Sequence, residues 1–291
     1  MYRTFVILRH TFIESIVQPI YPLLLALGTT ILTVYGFLPF FTLSEDTVMF
    51  KDVGIEIIMI LVLIVTLFAT SRTVFDEIED RTMLTLMSKP VKRWEVLLGK
   101  YLGIISATLL AVAILGVVLI VVTWMRIPGD YMLDRGSLDD RVQQQISDWR
   151  WMHFHGLAPM LALVWLQVSV LAAIGVALST RFSLVVNLPL VIFLYMAGHL
   201  TRFLPVDATT PVLARWASHF AATVLPYLET YDLKAKAIYG KVAVAGFDGT
   251  AVSVLWTYVA VALAYTTAYS VFALTAGLWL FRSRELGGAE G

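Results

Sequence analysis

Long runs of apolar residues alternate with short polar stretches along most of the chain. Six of the runs are about 20 residues long, the length of an α-helix that crosses a hydrocarbon core of about 30 Å. The pattern therefore predicts an all-α, polytopic membrane protein with six transmembrane helices. The predicted spans cover residues 20–41, 54–72, 97–124, 157–179, 184–203 and 252–281.

The first 18 residues show a different pattern, with one apolar face on an otherwise polar helix. That face is formed by Phe5, Leu8, Phe12 and Ile16. No continuous apolar region of a cleaved signal is present. We predict a helix over residues 1–18 that lies in the membrane interface, with Arg3 and Arg9 towards the headgroups. The alternative is an ordinary cytosolic helix that leads into the first span.

Composition supports a membrane protein without a sizeable soluble domain. The chain of 291 residues is 59% hydrophobic and only 14% charged, whereas soluble domains carry about 25% charged residues. We expect a single membrane domain over residues 1–291. The formal net charge is zero, which argues against a nucleic-acid partner. The chain has no cysteine, which excludes disulfides and thiolate chemistry.

Basic residues indicate the orientation of the spans. An even number of spans places both termini on one side, and basic residues near span ends mark the cytoplasmic side. Lys and Arg are concentrated near the termini and in residues 73–96, whereas the opposite short loop, 42–53, holds only Lys51. We predict cytoplasmic termini, a cytoplasmic segment 73–96, and outer loops at 125–156 and 204–251. Within the latter, residues 214–229 are apolar but too short to span, which is typical of a re-entrant or surface helix.

The segment 73–96 combines many charges with a compact apolar surface. We expect span two to continue to Glu79 and a short helix to follow over Arg81–Met87, ended by Pro90. The apolar residues of that helix are Met83, Leu84, Leu86 and Met87. Such a surface outside the membrane favours docking of a partner. The alternative is a solvated loop that only follows the positive-inside rule.

Two residues mark the start of the third span. Trp94 suits an interfacial position. Lys100 lies about one and a half turns further along, and its side chain is expected to extend back towards the headgroups.

The same segment resembles the cytoplasmic signature of type-2 ABC transporter permeases. The matching residues are Glu77-x-Glu79-x-Arg81-Thr82-x-Leu84-x-Leu86-x-x-Lys89-Pro90-x-x-Arg93 and then Gly99-Lys100. A second similarity lies in Leu225-Pro226-x-Leu228-Glu229-x-Tyr231-Asp232. Among these permeases the chain looks most like those of nitrous-oxide-reductase and multicopper-enzyme maturation systems. It departs from the family in its long 125–156 loop and in having Arg81, rather than glycine, beside Thr82.

The resemblance implies that Arg81–Met87 is a coupling helix seated in a groove of a separate ABC ATPase subunit. Arg181, in the turn 180–183, would form a second, smaller contact. The implied docking residues are Glu77, Glu79, Arg81, Thr82, Met83, Leu84, Leu86, Met87 and Arg181. Two permease subunits, identical or related, would pair with two ATPase subunits as an exporter in a bacterial-type inner membrane.

The chain has no nucleotide-binding motif of its own. The pattern G-x-x-x-x-G-K-[ST] fails at Gly99-Lys100, which is followed by Tyr101, and again at Gly240-Lys241. We therefore expect this chain to be neither an enzyme nor the carrier of a cofactor. ATP and Mg²⁺ would be bound by the partner ATPase.

Two other functions remain open from the residues alone. A membrane anchor or assembly factor would share the docking helix but would need no substrate cavity. An intramembrane enzyme would need ionisable groups at bilayer depth. The candidate substrate-pathway residues are Glu56 and Asn187. A helix–helix hydrogen bond is the simpler reading of Asn187, and His199 is expected at the interface.

His153 and His155 are the remaining candidates for metal chemistry. Two histidines two residues apart share a metal on a strand but diverge on a helix. No third ligand accompanies them, and aromatic residues surround them. We interpret them as polar residues at the edge of the fourth span.

Overall fold

The computed structural model describes residues 2–38, 46–79, 91–136, 139–201, 216, 225–244 and 247–282. The longer helices are α1 (Tyr2–Val17), α2 (Ile20–Phe37), α3 (Asp46–Glu79), α4 (Arg93–Asp130), α5 (Asp140–Ser179), α6 (Leu184–Leu200) and α8 (Val252–Arg282), and the short α7 covers Lys234–Ala237. A 3₁₀ turn covers Leu228–Tyr231, and strands β1 (Val242–Ala243) and β2 (Thr250–Ala251) form a short parallel pair.

Within the described residues, five helices are long and apolar enough to cross a membrane. They are α2, the Asp46–Ser71 part of α3, α4, α5 and α8. The predicted fifth span corresponds to α6, which is apolar but has only 17 residues. The predicted all-α polytopic fold is confirmed, and α8 matches its predicted range almost residue for residue.

Three helices continue beyond the apolar runs that predicted their spans. Helix α3 begins at Asp46 rather than at residue 54. Helices α4 and α5 extend to Asp130 and from Asp140, so most of the predicted loop 125–156 is helical. At 40 residues, α5 is about 60 Å long, twice the thickness of the hydrocarbon core.

Partners for the charged residues explain these extensions. The Arg126 guanidinium lies 3.3 Å from a carboxylate oxygen of Asp130, one turn away, and donates to the carbonyl of Gly36 at 2.6 Å. It also approaches Asp46, the first residue of α3, at 3.9 Å. The charged residues beyond the apolar runs of α3 and α4 are thus paired, Arg126 with Asp130 within α4 and with Asp46 across to α3.

Helix α5 is the centre of the bundle. It packs against α3, α4, α6 and α8, and most of its residues from Leu157 onwards are buried. Close approach depends on glycine, since an added Cβ at Gly175 would lie 2.6 Å from the Thr70 hydroxyl oxygen of α3. Small residues that let backbones approach are the usual packing device of membrane helices.

Helix α1 lies alongside the first turns of α4. A Cβ on Gly103 would lie 2.7 Å from Cβ of Thr11, and one on Gly99 would lie 2.9 Å from Ile7. The buried residues of α1 are Thr11 and Ser15, not the predicted apolar face, and Phe5 is 60% exposed. Phe12 and Ile16 of the predicted apolar face are partly buried and pack against the core, while small polar residues allow the close helix contact.

The expected extension of Lys100 towards the headgroups was wrong. Its side chain is 1% exposed. Helix α1 covers the neighbouring Gly99 and Gly103, and the hydroxyl of Tyr101 bonds Ser270 of α8 at 3.0 Å. Helices packed on both sides of α4 at this level close the route that Lys100 would need to reach the membrane surface.

Candidate functional site

The junction next to the segment 80–92 is the first candidate site, because that segment connects α3 to α4. Helix α4 begins with a capping box, in which the Lys92 backbone N–H donates to Glu95 at 2.9 Å. Arg93 then donates to the carbonyl of Phe281, at the end of α8, at 2.8 Å, and its guanidinium lies 5.1 Å from the centre of that ring. Arg93 therefore bonds the start of α4 to the end of α8.

The end of α5 belongs to the same junction. A Cβ added at Gly277 of α8 would lie 2.8 Å from Ala177 of α5 and 3.5 Å from Leu97 of α4. The turn that carries Arg181 follows α5 directly, and Arg181 is exposed there. A displacement of residues 80–92 would thus reach α4, α5 and α8 together.

The predicted docking residues divide into three groups. Glu77 and Glu79 lie in the helical backbone of α3, but their side chains are outside the described residues. Arg81, Thr82, Met83, Leu84, Leu86 and Met87 lie entirely outside the described residues. Arg181 lies at the same end of the bundle as the start of α4, since α5 ends beside it. The coupling helix itself stays a prediction.

At the opposite end, residues 225–244 form a compact unit, here named the cap. Helix α3 holds the cap through polar contacts of Lys51, Asp52 and Glu56. The Lys51 ammonium donates to the carbonyl of Ile238 at 3.2 Å. The Lys234 ammonium lies 2.7 Å from Asp52 and also pairs with Glu56.

The ion pairs change the titration of the cap residues. Partial burial lowers the pKa of Lys234, but its hydrogen bonds to Asp52 and Glu56 outweigh this and raise the pKa above the ordinary value. The hydroxyl of Tyr239 donates to Asp52 at 2.5 Å, and this bond raises the pKa of Tyr239. Lys234 therefore stays charged while it bridges α3 and the cap.

A cavity of about 200 Å³ lies beside the Lys234 bridge, between α3, α5, α6 and the cap. Its apolar floor includes Met59, Met160 and Val164, and Leu228 of the cap also lines it. Its polar wall is formed by Glu56, Gln167, Tyr195, His199, Glu229, Tyr231, Asp232 and Lys234. An apolar floor below a few convergent polar groups is the usual form of a small-molecule site.

His199 is fixed within this wall rather than free at an interface. Its Nδ1 lies 3.0 Å from the carbonyl of Tyr195, and since a carbonyl only accepts, Nδ1 carries the proton. The other nitrogen, Nε2, lies 3.3 Å from the amide nitrogen of Gln167 and can accept from it. The imidazole therefore orients the buried Gln167 amide.

Glu56 and Asn187 are not brought together by the fold. Glu56 lies at the cavity, close to Val164 of α5, whereas Asn187 donates to the carbonyl of Gly175 at 3.0 Å. These two positions of α5 are about 16 Å apart along the helix. Asn187 thus makes the helix–helix hydrogen bond that its sequence position indicated.

Replacing Asn187 with leucine is expected to destabilise the protein by only about 0.6 kcal/mol, the average for such bonds between membrane helices. The side chain is fully buried and its amide bonds α5, so leucine removes the bond while keeping a similar volume. The measurement is the free energy of unfolding in micelles, with the exposed Val186→Leu as control. A loss above about 2 kcal/mol would contradict a simple packing role.

The two histidines of α5 diverge, as a helix requires. His153 is buried and its Nε2 lies 3.1 Å from the hydroxyl of Tyr131, while His155 is only partly buried and bonds the carbonyl of Trp151 at 2.8 Å. His153 also lies in a stack with Tyr131 and Trp149. Within the described ranges, no group of three or more metal-binding side chains occurs.

Sequence reasoning missed the partnership of Lys234 with α3. Lys234 lies 178 residues from Glu56, in a segment whose acidic and basic residues looked balanced. Tyr195 and His199 are four residues apart and therefore lie on one face of a helix. This spacing was the one signal in the sequence that could have indicated a polar face on α6.

One of the comparisons with known proteins identifies a family. A family model described as ABC-2 family transporter protein matches residues 26–279. The search for similar curated proteins gave no match. The narrower resemblance to maturation permeases stays a prediction. Because the matched region covers most of the chain, from within α2 to within α8, the chain belongs to the ABC-2 transporter family and is a membrane-spanning ABC permease.

Proposed function

We propose that this chain is the permease subunit of an ABC exporter and is driven by a separate ATPase subunit that docks on residues 73–96. The ATPase supplies ATP and Mg²⁺, and two permease chains, identical or related, complete the transporter. The docking side would be the cytoplasmic face of a bacterial-type inner membrane, with both termini on that face.

The continuity of α3 carries the proposal. Its 34 residues form one helix of about 51 Å. One end leads into the proposed docking segment, and the other holds the cap through Lys51, Asp52 and Glu56. A movement imposed by the ATPase at one end of a rigid helix would therefore be transmitted to the cap and its cavity at the other end.

The contacts at the docking end support the same mechanism. Arg93 joins the start of α4 to the end of α8, and Gly277 seats α8 against α5. Helices α4, α5 and α8 would therefore move together when the docking segment moves. Such rigid coupling between the two ends of the bundle suits export. Closure of two ATPase subunits would rearrange one side of the bundle and open the other.

The docking proposal is tested by the double substitution Met83→Asp and Leu86→Asp. We expect the variant to retain less than about a tenth of the co-purified ATPase subunit, because burying two carboxylates in an apolar groove costs several kcal/mol. The measurement is co-purification of the two chains from membranes.

The control is Met132→Asp, which places a carboxylate at a 94% exposed methionine at the opposite end of the bundle. This variant should retain the ATPase and insert normally. Unchanged co-purification by the double variant would refute docking through the predicted helix.

A further inference from the structure

We propose that the cavity beside the cap binds a small organic cation, a protonated primary amine with a short apolar tail. The tail would lie on the floor formed by Met59, Met160 and Val164. The ammonium group would lie at the cap side, where Glu229 and Asp232 line the cavity. This inference concerns the permease chain alone and does not depend on the proposed ATPase.

The sign of the ligand charge follows from the charges around the cavity. The carboxylates of Glu56, Glu229 and Asp232 line it. Among the described residues of the lining, Lys234 is the one lysine or arginine, and it is engaged by Asp52 and Glu56. An anion would meet a surplus of carboxylates, whereas a cation would balance it.

The arrangement favours an organic cation over a metal ion. In the part of the chain that the structure describes, no three His, Asp or Glu side chains are placed to hold a metal. The floor is apolar, and burial of an alkyl chain there contributes to binding. An ammonium group also has three N–H donors, which suits separate carboxylate oxygens better than one shared site.

The size of the cavity limits the ligand. A volume of about 200 Å³ lies below the range of about 300–1,000 Å³ typical of drug-sized ligands. Tyr195 and Tyr231 also line the cavity, and tyrosine rings are among the side chains that attract cations. Gln167, oriented by His199, adds a buried amide to the wall.

The test is calorimetric titration of the full chain in micelles with n-hexylammonium, n-hexanol and hexanoate. These probes share the tail and differ in head-group charge. We expect saturable binding of hexylammonium with a dissociation constant of about 1 mM or below. Hexanol and hexanoate should bind at least about tenfold more weakly, because neither offers a charged donor.

A variant series locates the binding. The pair Glu229→Gln and Asp232→Asn should weaken hexylammonium binding at least about tenfold. The side-chain oxygen at position 232 now accepts from the Lys234 backbone N–H at 3.0 Å, and an asparagine oxygen can still accept that bond. The control pair Asp140→Asn and Asp248→Asn removes two exposed carboxylates outside the cavity lining, and its affinity should be unchanged.

Three results would overturn the proposal: no saturable binding of hexylammonium, equal binding of hexanol, or equal losses in the two variant pairs. The probe comparison uses the unmodified chain, so it decides the question even if a variant fails to fold. ATPase co-purification is not involved, so this failure is distinguishable from failure of docking.

Discussion

Replacing Gly156 with alanine is expected to destabilise the protein by about 3 kcal/mol, at the upper end for overpacking. Gly156 lies on α5 where the cap approaches most closely, and an added Cβ would overlap the backbone oxygen of Ala237, the last residue of α7. A backbone atom cannot rotate away as a side chain can. The cap must therefore shift, which strains its contacts with α3.

The measurements are the free energy of unfolding in micelles and limited trypsin digestion. A displaced cap should loosen the backbone around Lys234, Lys236 and Lys241, so trypsin should cleave there faster. Gly129→Ala is the matched control, since Gly129 also lies in a helix but nothing lies within 4 Å of its added Cβ. There alanine should be neutral or stabilising by up to about 1 kcal/mol. Equal effects at both positions would contradict the close packing of the cap.

Replacing Lys234 with glutamine is expected to cost about 2 kcal/mol, between the values for exposed and buried ion pairs. The substitution leaves Asp52 and Glu56 close together without their shared ammonium. Lys236→Gln is the matched control, because Lys236 lies on the same short helix but is exposed. The comparison uses the free energy of unfolding of each variant. A similar small loss in both variants would mean that the bridge contributes little.

The same bridge gives a signed pH dependence. The folded-state pKa of Lys234 is raised, so its contribution is complete below the ordinary lysine pKa of about 10.4. It is lost as the pH rises through the raised value, since deprotonation removes the charge that the carboxylates bind. The unmodified chain should therefore lose stability relative to Lys234→Gln as the pH rises through that raised value.

The apolar runs were enough to predict the membrane bundle, because a helix must satisfy its own backbone within the hydrocarbon core. The run at 252–281 illustrates this, since helix α8 covers almost the same residues. The spacing of Asn187 also anticipated its bond to a neighbouring helix. Helices α3 and α4 extend beyond their apolar runs, and the pairing of Arg126 there with Asp46 of α3 and with Asp130 of α4 was not visible in the sequence.

The sequence by itself determined what is local: the apolar lengths, the absence of a nucleotide motif, and the charged segment on which the proposed ATPase docks. Only the tertiary structure decided where the charges at the other end go. It joins Lys234 to Asp52 and Glu56 and encloses a cavity beside them. The reason is that pairing between residues 178 positions apart, as in Lys234 and Glu56, leaves no periodic trace in the chain. It arises only when α3, α5, α6 and the cap are packed together.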